Sequence, residues 1–552
     1  MALQVFSASN ATVLVTLAAA AIALAFFRFI IYQIYFSPLS RVPAAHPLAK
    51  ITSLWIQWHR WRGTEFDCIT SAFAASGPYI RVGPNEVILN AIDAVQNVYG
   101  VGANNFDRHP SYDYFITQGT RNMFTSLGKD HRSKRRRISS IYSRSFLQTS
   151  PHARAIMHSL LVERMLPVLT RTSAVAHSSV NILPLFQSFA LDFMSTFAFG
   201  ISRGFNFIRD EEARWRWIDR FNMSYPPESG FWMREYPMLV KWLPLVGVPI
   251  VPKGHFEARK ACEVWAIAKV EECEAALQRA GGDLQSASSL PPGEFPVLYT
   301  YVRESFVKTA DTEKVFRPGH GEILELASEC FDHISATGDT FELFLLPAGT
   351  MFTYMIYELS RHEAIQQELR QELLTIEVPF VYDENSASSI SIPSPKSLES
   401  LPFLDCVIKE SLRLRNNAPN LDPRLTPAHG ESKVGMLANL PPGVRIGTYG
   451  WLLNRNPDVY PNPESWEPRR WQSGGPEAAA QRQAWLFAFG GGSRGCIGQY
   501  AAMELMRLLL CGIYTNFKTT VADESGYPGA NKFVGSDCSE KLYIKFEKLS
   551  QE

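Results

Sequence analysis

Phe489-Gly490-Gly491-Gly492-Ser493-Arg494-Gly495-Cys496-Ile497-Gly498 runs directly into Gln499-Tyr500-Ala501-Ala502-Met503-Glu504-Leu505-Met506-Arg507-Leu508-Leu509-Leu510. Four glycines within the six residues before Cys496 describe a backbone lying too close to a neighbour for side chains to fit. After Gly498 the pattern turns helical, with Ala502, Leu505, Leu508 and Leu509 at three- and four-residue spacing. Cys496 therefore stands at the mouth of a helix, where loop amides and the helix dipole favour a thiolate and should hold its pKa down. Such a thiolate suits a planar metal macrocycle that needs an axial ligand.

A buried structural cysteine after a loop is the plainer reading of one Cys. Against it stands the full spacing Phe-x-x-Gly-x-Arg-x-Cys-x-Gly, met at Phe489, Gly492, Arg494, Cys496 and Gly498. This resembles the haem-binding loop of the cytochrome P450 family. The resemblance implies that Cys496 ligates the iron of haem b, that Arg494 meets a propionate and that Phe489 packs beside the sulfur.

Other stretches carry the same resemblance in order. Glu410 and Arg413, three apart in Leu401–Arg415, can pair along one helix face, which on a surface contributes only a few tenths of a kcal/mol. Trp466-Glu467-Pro468-Arg469-Arg470-Trp471 then resembles the motif whose arginine, matched by Arg470, closes a buried network with that pair; Arg469 stands where Glu is usual. Pro423-Arg424 implies a further propionate contact. In the basic helix His131-Arg-Ser-Lys-Arg-Arg-Arg, Arg135 matches a propionate-binding arginine and His131 stands where Trp is usual. Lys134, Arg136 and Arg137 suit docking of an acidic electron donor.

Asp332–His362 resembles the family's long central helix, whose acid-alcohol pair relays protons; Asp339-Thr340 matches that pair, against the alternative of a helix cap. Counting back from Leu359-Ser360-Arg361 places the same slots seven residues later, so Phe341–Pro347 reads as an insertion, with a mis-predicted splice junction as the competing explanation. Seven residues are nearly two turns and preserve the facing of side chains, but Pro347 should break the helix.

Composition is compatible with one large domain behind an anchor. The chain has 552 residues, and its 54 basic and 54 acidic residues exclude a nucleic-acid binder that works through phosphate contacts. Eight cysteines without pairing rhythm suit a reducing compartment. Ala11–Phe27 is apolar and uncharged and continues past Arg28 to Phe36, long enough for a single membrane span. No Lys or Arg precedes it whereas Arg41, Lys50, Arg60 and Arg62 follow, which argues against a signal peptide and for a cytoplasmic body. The sequon at Asn10 lies too near the bilayer for use. Tyr79–Val82 and Glu86–Leu89, split by Gly83-Pro84, read as a small sheet. Trp215–Pro252, rich in aromatics, Met and Pro, is either core or a substrate entrance at the membrane interface.

The expected protein is mainly α with a minor β region, a cytochrome P450 fold with an N-terminal transmembrane helix: residues 1–36 the anchor, 37–552 one haem-thiolate catalytic domain. The resemblance implies a monooxygenase of the endoplasmic reticulum membrane that inserts one oxygen atom of O2 into a lipophilic small molecule, in the manner of fungal secondary-metabolite enzymes. Its electrons would come from NADPH through a separate NADPH-cytochrome P450 reductase, because no nucleotide-binding unit is present. A haem-thiolate isomerase or dehydratase that uses no O2 is the alternative, and Asp339-Thr340 speaks against it. A haem sensor without turnover is a third.

Overall fold

The structure is a computed structural model and describes residues 2–100, 106–282, 289–307, 317–338, 347–385, 390–415, 421–525 and 541–549. Two compact units emerge, one built from 1–109, 420–453 and 491–493, the other from 110–419, 454–490 and 494–552.

The first unit begins with α1 (Ala2–Phe26), continued by π-helical turns over Phe27–Phe36. Val13–Phe36 is long and apolar enough to cross a membrane, and none of it is buried. Asn10 lies in α1, its side chain outside those described. Beyond Pro38 come α2 (Leu54–Trp61), α3 (Glu65–Ser76), β1 (Tyr79–Gly83), β2 (Glu86–Leu89) and α4 (Ile92–Tyr99). The two expected strands pair antiparallel, Tyr79 opposite Leu89, because Gly83 and Pro84 turn the chain between them. With β3 (Asp107–Arg108), β4 (Arg424–Leu425) and β5 (Arg445–Thr448) they form a sheet ordered β1-β2-β5-β4-β3. Only β2 and β5 run parallel. Ile56, Ile69, Phe73, Ile80, Val82, Ile88 and Tyr449 fill the core beneath it.

Arg81 of β1 is fully buried, and its guanidinium donates to the carbonyls of Gly83, Pro84, Lys50 and Gln33 and to the Gln33 side chain. One strand residue thus ties the sheet to the last turns of the apolar helix. Burial lowers the Arg81 pKa to about 10.

The second unit is helical around α6 (Ile182–Phe199), every residue of which is buried. A helix apolar on all faces belongs in a core. Against it pack α7 (His320–Gly338) and α8 (Pro347–Arg361), and the same unit holds α5 (Gly128–Ile138), α9 (Pro402–Leu414) and α10 (Gln499–Tyr514). A small antiparallel sheet sets Tyr543–Lys548 between Val180–Asn181 and Phe517–Asp523. The proline at the first position of α9 fits where no amide bond is required, and the Glu372 carboxylate accepts the Phe403 and Leu404 amides at 2.8 Å each. That cap fixes the start of the helix carrying Glu410 and Arg413.

The expected central helix is two described helices, α7 ending at Gly338 and α8 opening on Pro347. Residues 339–346, with Asp339, Thr340 and most of the proposed insertion, lie outside the described residues. A Cβ at Gly349 would fall 2.4 Å from the Gln187 Cα, so α8 presses backbone to backbone on α6 at the Ala348-Gly349-Thr350 triplet.

The aromatic segment divides. Trp217 and Phe231 are buried, whereas Met238, Trp242, Leu245, Val246 and Val248 are exposed, Leu245 and Val246 by 73% and 74%. Core packing accounts for its first half only.

Candidate active site

In the second unit, the amide of Cys496 donates to the Phe489 carbonyl at 2.8 Å, closing the loop. Gly490 turns there with φ +65°, in the region glycine favours. The Cys496 side chain is accessible, yet protein surrounds it closely enough that burial pushes its thiol up, with the Gly498 amide and Arg135 acting the other way. The lowered thiol expected from the helix mouth is therefore not found, because desolvation outweighs one amide and one guanidinium.

Arg135 of α5 donates to the Gly495 carbonyl at 2.8 Å; burial lowers its pKa, and the Cys496 charge raises it. Arg494 donates to the Ser126 carbonyl at 2.7 Å. Ser126 Oγ and Asn122 Nδ2 are buried with no partner among the described residues. His131, one turn before Arg135, is buried, and Phe489 packs half-buried on the core. A Cβ at Gly498 would stand 3.9 Å from Cys496 Sγ, an ordinary contact, so its role here is its amide. Lys134 and Arg137 both bond Glu325 of α7, at 2.7 and 3.0 Å, leaving Arg132 and Arg136 exposed. Two of the three cations expected to greet a donor, Lys134 and Arg137, are thus engaged within the molecule.

Glu410, Arg413 and Arg470 lie together, at most 5% exposed. Glu410 takes Arg413 Nη2 and Arg470 Nε on one oxygen, both at 2.8 Å, and Arg413 Nε at 2.9 Å and Trp471 Nε1 at 3.0 Å on the other. The Glu467 amide also donates to it, at 2.9 Å. The arginines spend their remaining donors on the carbonyls of Asn454, Pro461, Asn462, Pro463 and Ser465. Stranding one member of such a buried set costs about 3 to 5 kcal/mol. Trp471 and the carbonyls carry no sequence signal.

In the first unit, a Cβ at Gly491 or Gly492 would meet the carbonyl of Tyr99 or Gly100 at 2.5 Å, so the close approach inferred from the glycine run is real. Arg424 is buried, bonded to both Asp422 oxygens at 2.5 and 2.8 Å, and lies over the Tyr99 ring. Neither Asp422 nor Tyr99 figured in the sequence reading.

The donor set of the second unit fits haem: a soft sulfur, with the half-buried guanidiniums of Arg135 and Arg494 suited to carboxylates. The sequence profile of the family Cytochrome P450 matches residues 348–536. Cytochrome P450 monooxygenase avaI of Aspergillus versicolor is 27% identical over 448 residues, 79% of this chain and 94% of that protein. Cytochrome P450 monooxygenase orf2 of Aspergillus niger is 25% identical over 487 residues, 87% of this chain and 86% of its own. Cytochrome P450 monooxygenase hkm5 of Aspergillus hancockii is 26% identical over 499 residues, 88% and 86%. Over that C-terminal stretch the chain is similar to the cytochrome P450 family, and the relatives named here are cytochrome P450 monooxygenases.

Proposed function

We propose that this protein is a haem-thiolate monooxygenase that oxidises a lipophilic small molecule in fungal secondary metabolism, with Cys496 as the iron ligand. Arg494, Arg135, Arg424 and His131 would hold the propionates, while Phe489, Gly492 and Gly498 shape the loop. When bound, haem supplies the redox chemistry by which O2 is split and one oxygen atom enters the substrate. The protein's part is to hold the sulfur beside Arg135 and the Gly498 amide, exclude water and deliver protons, the last a task we assign to Asp339-Thr340. Glu410, Arg413 and Arg470 brace the chain ahead of the loop.

Electrons would arrive from NADPH through NADPH-cytochrome P450 reductase, with Lys129, Arg132 and Arg136 as the exposed cations of α5. Val13–Phe36 would anchor the chain in the endoplasmic reticulum membrane with the catalytic body cytoplasmic. The exposed Met238–Val248 segment would rest at the bilayer surface, so that substrate enters from lipid.

The accessible sulfur of Cys496 beside Arg135 carries this reading. Its test is the reduced carbon-monoxide spectrum, where the red-shifted Soret band of a haem-thiolate is expected. Cys496→Ser should lose that band, and a band that persists in the variant sinks the assignment.

A further inference from the structure

Helix α2 of the first unit turns large apolar side chains outward. Its inner side is accounted for: Ile56 is buried in the core under the sheet, Arg60 is spent on Glu65 and Glu86, and Trp55 packs on that core, stacked on His46 with ring centres 5.5 Å apart. On the outer side, Leu54, Trp58 and Trp61 stand at i, i+4 and i+7 and are 69%, 57% and 46% exposed. At 3.6 residues per turn the three fall within a sector of about 60°. The rings of Trp58 and Trp61 meet edge to face at 5.2 Å, and the Arg62 guanidinium lies 6.0 Å over Trp58.

Apolar residues exposed singly are ordinary on a protein surface, but two indoles and a leucine on one helix face form a patch, and such patches mark contacts. The place of this patch identifies what covers it. Arg81 donates to the carbonyl of Gln33, in the last turns of the apolar run, at 3.0 Å and to that of Lys50 at 3.3 Å. One guanidinium thus holds the end of the run beside a point four residues ahead of Leu54. The turn Pro47–Lys50 packs both on Phe27–Phe36 and on α2. Gln33 lies three residues, about 5 Å of helix, before the run ends at Phe36, and a bilayer's headgroup layer is about 5 to 8 Å deep on each side. Four residues of chain reach at most about 14 Å. The start of α2 is therefore confined to the level at which the span leaves the hydrocarbon. Tryptophan suits that level better than any other side chain, since its ring is apolar and its N–H is not.

We propose that Leu54, Trp58 and Trp61 form a membrane contact of their own, lodged among phospholipid headgroups and upper acyl chains on the side where the span emerges; it rests on reading Val13–Phe36 as the anchor. Arg62, lying over Trp58, carries its charge toward the phosphates while its stem stays on the ring. The consequence is orientation. A single span leaves the body that follows it free to swivel about one point. A helix face lying in the bilayer surface supplies a second point, and because α2 is packed on the sheet through Ile56 and Trp55, the whole first unit takes one tilt.

The test uses the haem-loaded full chain in phosphatidylcholine vesicles whose acyl chains carry bromine near the carbonyl end, where it quenches indoles at the interface. Part of the wild-type tryptophan fluorescence should be lost relative to unbrominated vesicles. In the Trp58→Phe, Trp61→Phe double variant that quenched part should fall at least about 2-fold, because interfacial rings are the ones the bromine reaches. Trp55→Phe, on the inner side, should leave it as it is. Leu54→Asp removes no tryptophan and should lower it too, by lifting the face out of the lipid. An unchanged carbon-monoxide spectrum shows that each variant is folded. No quenching in the wild type, or the same quenching in the wild type, the double variant and Leu54→Asp, overturns the contact and leaves the face to another protein. Extraction with alkaline carbonate reads the anchor separately: a full chain stripped from the vesicles overturns the reading of Val13–Phe36, whatever the fluorescence shows of α2.

Discussion

At the scale of single residues, burial decides more than sequence position does. Glu504, six residues past the end of the glycine-cysteine loop, is buried, and its carboxyl is raised to about 7 by desolvation, although Arg507 and Arg154 pull it down. A carboxylate whose folded pKa lies above its unfolded value makes the native state hold an extra proton between the two, so stability falls as pH rises through that window. From the ordinary 4.5 to about 7, the loss is about 3 kcal/mol. Glu504→Gln should match the wild type at acidic pH and become more stable above pH 7 by that order. Unfolding followed across pH checks this; parallel curves would mean that Glu504 stays charged in the folded chain. The same weight of burial explains why the Cys496 thiol is raised rather than lowered. Position at a helix mouth is legible in sequence, but the protein packed around the sulfur is not.

Among elements, legibility follows distance along the chain. Pairing of β1 with β2 and of Glu410 with Arg413 could be read directly, because two-residue turns and three-residue helix spacings are local rules. Arg470 could be placed only through the family likeness, and Trp471, Glu467 and five backbone carbonyls only through the structure. The ion pairs of α5 lay out of reach for the same reason: Glu325, which takes Lys134 and Arg137, is nearly two hundred residues away. The aromatic segment shows the rule in reverse, since composition could not divide buried Trp217 from exposed Leu245 and Val246. Transfer of two such side chains from water to a bilayer surface contributes about 1.5 to 3 kcal/mol each. A Leu245→Asp, Val246→Asp double variant lacking residues 1–36 should therefore bind phosphatidylcholine vesicles at least about 10-fold more weakly than its parent, with its carbon-monoxide spectrum unchanged. Equal co-sedimentation would remove this segment from the membrane contact.

For the whole molecule, the question is where the anchor ends and the folded body begins. The prolines at 38, 43 and 47 suggest a boundary at residue 36, but the hydrogen bonds put it earlier. Gln33, within the apolar run, gives Arg81 its main-chain carbonyl and its side-chain oxygen, both at 3.0 Å, and Arg81 is otherwise closed in by Lys50, Gly83 and Pro84. A guanidinium at 0% exposure cannot lose partners without either letting water in or standing unpaired. Removing residues 1–36 should therefore lower stability by about 1 to 3 kcal/mol, whereas removing residues 1–28 keeps Gln33 and should not. Both truncations should leave membranes only in part, because the exposed Met238–Val248 segment remains. Gln33→Ala in the full chain separates the two effects: it should reproduce most of the lost stability while the protein stays in the membrane. Thermal unfolding of the three variants, each beside a membrane-sedimentation assay, decides the matter. If the chain lacking 1–36 melts with the full-length protein, Arg81 draws no stability from Gln33, and the fold begins after the prolines.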